Sequence, residues 1–264
     1  MNEQREIKLW DDPAAEPVMK LFLTASATPR PLVVVLPGGG YCMRAAHEAD
    51  PVALWLNRIG LHAAVCHYRV RPNRHPIPLM DAQRAIRTVR YNAHAWKVDP
   101  KRVGVLGFSA GGHLACSCAN FGDDGLADSD AIGRAPSRVN ALVSCYAAIS
   151  FTAEFKHPGC GENLLGPSPD PELLHRLSLE NSVTPQNPPT FIWHTSDDAS
   201  VCSRHSLAYA RALAAHKIPY ALHVYPRGPH GIGLAETFDG TARNWPRDCA
   251  EWFAEIGWRT DTQK

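Results

Sequence analysis

Val103-Gly104-Val105-Leu106-Gly107-Phe108-Ser109-Ala110-Gly111-Gly112-His113 sets the pattern G-x-S-x-G between a short apolar run, Arg102 to Phe108, and a segment of helical composition, Ala110 to Asn120. A chain that passes so abruptly from strand to helix leaves no room for side chains beside the serine. Gly107 and Gly111 therefore have a steric reason, and the Ser109 hydroxyl is lifted above a sheet at the head of a helix, the geometry of a nucleophile elbow. A glycine-rich turn with an incidental serine would use the same residues without the chemistry. The agreement of strand, motif and helix favours the elbow, and the G-x-G-x-x-G spacing of a dinucleotide-binding turn is absent.

The same alternation extends in both directions. Strands are expected at Val18 to Leu23, Leu32 to Leu36, Leu61 to Tyr68, Ala141 to Tyr146, Thr190 to His194 and Tyr220 to Tyr225, with an edge strand from Ile7 to Trp10. The unbroken apolar runs Leu32 to Leu36 and Phe191 to Trp193 suit strands covered on both faces, as in parallel sheets. Helices are expected at Pro51 to Ile59, Ser203 to His216, Arg247 to Ile256, and after Pro78, where Leu79, Ala82, Ile86, Val89, Ala93 and Trp96 recur at spacings of three and four. Strands and helices in this order imply right-handed crossovers and one doubly wound sheet of the α/β class. Residues 150–189 break the rhythm with seven prolines and one short helical candidate, Pro171 to Leu177. The expectation is one domain over residues 1–264 in which 150–189 is a lid-like insertion.

Composition narrows the classes of function. With 45% hydrophobic and 20% charged residues, the 264-residue chain has the make-up of an ordinary globule rather than of a disordered or fibrous one. Lys+Arg 27 against Asp+Glu 26 gives no electrostatic case for nucleic acid or an anionic membrane as partner. The start lacks the apolar region of a secretory signal, and the eight scattered cysteines read as free thiols in a reducing compartment, so a cytoplasmic location is expected. A zinc site would need more than the single Cys116-x-Cys118 pair, and no metal is expected.

A serine hydroxyl needs a base to become a nucleophile, and the base needs an acid to hold its tautomer. Behind an elbow the order should be Ser, Asp, His. Thr195-Ser196-Asp197-Asp198-Ala199-Ser200-Val201 follows one predicted strand, and Pro226-Arg227-Gly228-Pro229-His230-Gly231 follows the next. Both lie just past the carboxyl end of a strand, the edge where open α/β sheets bind ligands. Position singles out His230 among thirteen histidines, whereas Asp197 and Asp198 are both open as the acid. An oxyanion hole is expected from the N–H after the nucleophile, that of Ala110, and from Pro37-Gly38-Gly39-Gly40-Tyr41 after the strand Leu32 to Leu36. A plain flexible turn would also accept three glycines; a phosphate cradle would need the lysine of G-x-x-x-x-G-K-[ST].

The sequence resembles the α/β-hydrolase-fold serine esterases related to acetyl xylan esterases and feruloyl esterase-like enzymes, with kinship to hormone-sensitive-lipase-type carboxylesterases. The likeness rests on PGGGY at Pro37 to Tyr41, YRVRP at Tyr68 to Pro72, HPIPLMDAQRAIRTVRYNA at His75 to Ala93, GFSAGGHLA at Gly107 to Ala115, HTSDDASV at His194 to Val201 and GPHGIGLA at Gly228 to Ala235. It runs from about residue 30 to the last helix. The hormone-sensitive-lipase type begins its oxyanion loop with His, where this chain has Pro37, and many relatives read D-x-x-V-P where Val201 is followed by Cys202. The D-x-x-V spacing of those relatives fits Asp198, leaving Asp197 to bond loop amides while Ser203 caps the next helix.

The resemblance implies a carboxylesterase in which Ser109 attacks, His230 moves the proton, Asp198 orients His230, and Gly39, Gly40 and Ala110 hold the oxyanion. It implies a small acyl group, acetyl above all, on a small-molecule or oligosaccharide ester such as an acetylated xylo-oligosaccharide, and no cofactor. Tyr41, Trp193, Phe151 and Phe155 are candidates for stacking on a sugar, although aromatics beside a sheet are more often core. An amidase or peptidase of the same fold is the alternative enzyme. An inactive hydrolase fold serving as a receptor is the alternative from another class, and it would be expected to lack one of the three residues.

Overall fold

The computed structural model describes residues 3–11 and 17–258. Among the described residues eight strands form one sheet: β1 (Glu3–Lys8), β2 (Val18–Leu23), β3 (Arg30–Leu36), β4 (His62–His67), β5 (Val98–Phe108), β6 (Leu142–Cys145), β7 (Thr190–Thr195) and β8 (Tyr220–Tyr225). Their spatial order is β1-β2-β4-β3-β5-β6-β7-β8. β1 and β2 run antiparallel and the six from β4 to β8 are parallel, with a mostly parallel sheet and helices on both faces giving the α/β-hydrolase fold expected from the sequence.

Alternation along β3 explains the layering. Leu32, Val34 and Leu36 join a buried cluster with Ile86, Leu114 and Tyr209, which belong to α2 (Ile77–Tyr91), α3 (Ser109–Asn120) and α6 (Arg204–Ala215). Val33 and Val35 join the opposite cluster with Val52, Trp193, Trp245 and Phe253, which brings in α1 (Asp50–Arg58) and α7 (Trp245–Glu255). Successive side chains of a strand point to opposite faces, so a run that is apolar at every position needs cover on both.

Chain order and spatial order part company at β3. β4 lies on one side of it and β5, the next strand in sequence, on the other. Such a switch point opens a crevice beyond the carboxyl ends of the strands on either side of it. β3 and β5 end in register, Leu36 opposite Gly107. The glycine-rich loop after β3 and the serine turn after β5 are therefore neighbours by sheet geometry alone.

Several local expectations shift. The edge strand is Glu3–Lys8 rather than Ile7 to Trp10. The long helical pattern ends as α2 at Tyr91, with Ala93 and Trp96 buried in the turns that follow. Within 150–189 the structure has two α-helices, α4 (Pro158–Leu165) and α5 (Pro171–Arg176), and a 3-10 turn at Leu179–Asn181, where the sequence pointed to only α5. α4 starts without an Ser, Thr, Asp or Asn cap: the ring Nδ1 of His157 accepts from the Cys160 amide instead. Phe151, Cys160, Leu164, Leu177 and Leu179 of this segment are buried in the main core. Ser203 sits at the start of α6, but its side chain makes no capping bond, a correction to the expected cap.

Candidate active site

Ser109 is the first residue of α3 and has φ 52°, a left-handed conformation that is costly for a residue with a side chain. The turn is held by close backbone contact. A Cβ on Gly107 would lie 2.1 Å from the carbonyl of Gly111, and one on Gly111 would lie 2.1 Å from that of Leu36, so neither position accepts even alanine.

Two loops from the far side of the sheet reach this serine. His230 Nε2 is 2.7 Å from Ser109 Oγ, and His230 Nδ1 is 2.7 Å from Asp198 Oδ2. A carboxylate can only accept, so Nδ1 carries the proton and Nε2 is left to accept from the serine hydroxyl. The other oxygen of Asp198 accepts from the amides of Ser200 and Val201, both at 2.9 Å. Burial pushes the Asp198 carboxyl up, but the contacts with His194 and His230 and the Val201 amide outweigh it and hold the group well below the usual carboxylate range. His194, at the end of β7, has its Nε2–H directed at the Val201 carbonyl at 2.8 Å, with Asp198 Oδ2 at 3.4 Å, and accepts from Ser206 Oγ at 2.8 Å.

Asp197 points elsewhere. Its Oδ1 accepts from the Gly228 amide at 2.8 Å, tying the acid loop to the loop that carries His230. Of the two adjacent aspartates it is Asp198 that meets His230.

The Pro37-to-Tyr41 loop lies against the serine turn. Gly39 has φ 131°, and a Cβ there would sit 2.3 Å from the Met43 carbonyl. The Gly38 amide is occupied, donating to Glu48 Oε2 at 2.8 Å, and Gly40 is fixed from above by Asn163 of α4, whose Nδ2 donates to its carbonyl at 2.8 Å. Tyr41 corrects the expectation of a sugar contact. It is 1% exposed and its hydroxyl meets His113 Nδ1 at 2.8 Å, because its left-handed backbone (φ 59°) turns the ring into the core. Trp193 and Phe151 are likewise core, and Phe155 is half-buried against His205.

Sequence reading passed over Glu48, Tyr146, Asn163 and His194. Glu48 stands just before α1, where an acidic residue is read as favouring a helix start; in the structure it is 2% exposed. Burial pushes its carboxyl up, against the hydrogen bonds from Tyr146 and Gly38 that pull it down. Only the position of Glu48 just downstream of the triple glycine was a usable signal.

His230 also borders a groove of about 810 Å³ between the acid loop, its own loop and Phe238 to Thr241. Asp197, Ser200, Arg227, Asp239 and Thr241 give it polar walls and Phe238 an aromatic one. Among the described residues no three His, Cys, Asp or Glu side chains are placed to hold a metal, and no helix is long and apolar enough to cross a membrane.

The BD-FAE family model matches residues 19–213. The crystal structure of an acetyl ester-xyloside bifunctional hydrolase from Caldicellulosiruptor lactoaceticus is 45% identical, with 97% of each chain covered and a TM-score of 0.93. An acetylxylan esterase of Xylanibacter ruminicola is 32% identical over 237 residues, 88% of this chain and 46% of its own. Endo-1,4-beta-xylanase B of Butyrivibrio fibrisolvens is 35% identical over 230 residues, 85% of this chain and 36% of its own. The chain thus spans less than half the length of these two relatives.

Proposed function

The chain belongs to the BD-FAE family, and from that premise we propose that it is a serine carboxylesterase that removes small acyl groups, acetyl above all, from carbohydrate esters. The observation that carries this reading is the unbroken row Ser109, His230, Asp198, with 2.7 Å at each link. Ser109 Oγ attacks the ester carbonyl while His230 Nε2 takes its proton. The Asp198 carboxylate stabilises the imidazolium that forms. The carbonyl oxygen, now negative, accepts from the amides of Gly39, Gly40 and Ala110. Gly38 takes no part, since its N–H is given to Glu48. His230 then hands the proton to the departing alcohol oxygen, leaving an acyl enzyme on Ser109. Water, deprotonated by the same imidazole, releases the acid and returns the proton to the serine.

Because the alcohol leaves past His230, the groove beside that ring is the natural place for the sugar. Carboxylates and hydroxyls suit vicinal diols, and about 810 Å³ is ample for a short oligosaccharide. The relatives named for acetylxylan and acetyl ester-xyloside chemistry support this substrate class. Xyloside hydrolysis would need two carboxyl groups about 5–10 Å apart facing the glycosidic oxygen. Beside Ser109, Asp198 and Glu48 both have their oxygens committed to amides and to His230 or Tyr146, while Asp197 and Asp239 stand on the groove wall, so turnover of a xyloside is the measurement that separates the two chemistries.

A panel of p-nitrophenyl acyl esters, a p-nitroanilide, a p-nitrophenyl xyloside and acetylated xylo-oligosaccharides tests the proposal. Turnover of the acetyl esters, falling toward octanoate and lost in Ser109→Ala, is expected. Preference for the anilide would move the function to an amidase, and preference for octanoate to a lipid esterase.

A further inference from the structure

Glu48 is a fully buried carboxylate that the reaction above does not use. Burying a carboxylate is costly unless hydrogen bonds offset the lost hydration, so its partners show where that cost is met. One oxygen accepts from the Gly38 amide at 2.8 Å, at the root of the loop bearing Gly39 and Gly40. The other accepts from the Tyr146 hydroxyl at 2.6 Å. Burial and the facing carboxylate push the Tyr146 phenol well up, so it stays protonated as the donor.

Tyr146 stands just past β6 and its oxygen accepts in turn from the Gly233 amide at 3.0 Å, three residues beyond His230. Its ring meets the His230 imidazole edge to face, with centroids 5.0 Å apart. His47, next to Glu48 in the same short 3-10 turn, places Nε2 2.7 Å from the Gly231 carbonyl. One turn of three residues thus holds the oxyanion loop through Glu48 and the histidine loop through both of its side chains.

We propose that Glu48 is a positioning residue which, through Tyr146, locks the amides of Gly39 and Gly40 to the His230 imidazole as one rigid unit. The proposal rests on the esterase reading for its consequence in rate. A tetrahedral intermediate touches both halves at once, the oxyanion on the amides and the attacking and leaving oxygens on His230, and such groups work only when held within about 0.5 Å of the productive geometry. Neither half touches the other directly in the bonds described above, and the sheet brings them from opposite sides of β5. Ground-state binding of a small ester asks less of this alignment, so loosening the unit should lower kcat and spare KM.

The test uses Glu48→Gln and Tyr146→Phe, singly and together, in the full chain. A carboxamide has one acceptor oxygen and cannot serve both the Gly38 amide and the Tyr146 hydroxyl as Glu48 does. Tyr146→Phe keeps the ring against His230 and removes only the link to Glu48 and Gly233. With p-nitrophenyl acetate and a fluorophosphonate titration of Ser109, kcat per titrated site should fall about 10²-fold in Glu48→Gln, comparable to losing one oxyanion donor, with KM changed less than about threefold. Tyr146→Phe should fall about tenfold, and the pair no further than Glu48→Gln alone, since both cut the same connection. Amide hydrogen exchange supplies a readout that does not depend on turnover. Peptides covering 36–43 and 228–235 should both exchange faster in each variant, while β3 and β5 stay protected. Unchanged exchange in either loop overturns the proposal, as do multiplicative losses in the double variant or a loss confined to KM. Loosened loops in a protein that hydrolyses no ester would uphold the coupling and sink the esterase reading instead.

Discussion

Replacing Asp198 by asparagine changes one atom, and the hydrogen bonds around it fix which way the new amide must face. In the protein Oδ1 accepts from two backbone amides, Ser200 and Val201, and Oδ2 accepts from His230 Nδ1. If the amide oxygen of Asp198→Asn stays on the two backbone donors, its NH2 faces Nδ1 and forces the imidazole proton onto Nε2, where it blocks transfer from Ser109. Turning the amide over would restore an acceptor to His230 but leave two N–H groups unpaired, at about 1–3 kcal/mol each. Even the low end, about 2 kcal/mol in total, favours the blocking orientation some thirtyfold, at about 1.4 kcal/mol per tenfold. The expected loss in kcat/KM is therefore that of a wrong-tautomer triad, about 10⁴, or about 5 kcal/mol of barrier. Asp197→Asn should cost far less, because a carboxamide oxygen can still accept from Gly228. The assay is p-nitrophenyl acetate hydrolysis with both variants checked by circular dichroism. A folded Asp198→Asn within tenfold of the parent, or a larger loss in Asp197→Asn, would refute the tautomer reasoning.

Ser109→Ala should abolish turnover, at a cost on the order of 10⁶, with the thermal transition retained; residual burst labelling by a fluorophosphonate would contradict the assignment. Gly111→Ala should unfold the elbow, since the added methyl group meets the Leu36 carbonyl at 2.1 Å, and thermal melts should show a loss well beyond that of an ordinary surface change. Stability should fall with pH before the carboxylates titrate. Burial lowers His113 from 6.5 to about 4, and its Nδ1 meets the Tyr41 hydroxyl, so the unfolded chain binds the proton more readily between those values. The stability from the neutral ring is complete above about 6.5 and is lost as pH falls toward about 4. Urea titrations from pH 7.5 to 4 should show that decline, and a flat profile down to pH 4 would contradict it.

What the sequence disclosed follows from the range of the forces involved. The elbow, the strand runs and the order of serine, aspartate and histidine are local patterns with local causes: steric exclusion at Gly107 and Gly111, two-sided burial of Leu32 to Leu36, and a loop after each parallel strand. Asp197 and Asp198 could be told apart only through the spacing seen in relatives, because what separates them is which loop amides each meets. Tyr41 was misread because a left-handed backbone angle, invisible in composition, turns its ring inward. α4 was missed because its cap is a histidine ring and its first turn holds a proline and two glycines. Glu48 and Tyr146 are 98 residues apart, and no period or motif relates them.

The carboxylates of these loops, buried at Glu48 and Asp198 and exposed at Asp197, answer a need created by the fold. Loops that follow parallel strands must turn sharply over the sheet, and their amides find no partner in either strand or helix. An aspartate or glutamate collects such donors at short range. Asp198 takes Ser200 and Val201, Asp197 takes Gly228, and Glu48 takes Gly38. Each acid thereby fixes one loop, and two of them have an oxygen left over that faces another part of the site: Asp198 toward His230, Glu48 toward Tyr146. Loop rigidity and proton handling thus draw on the same side chains. It follows that variants at Asp198 and Glu48 should move both readouts, loop exchange and rate, because one carboxylate serves the loop amides through one oxygen and the site through the other.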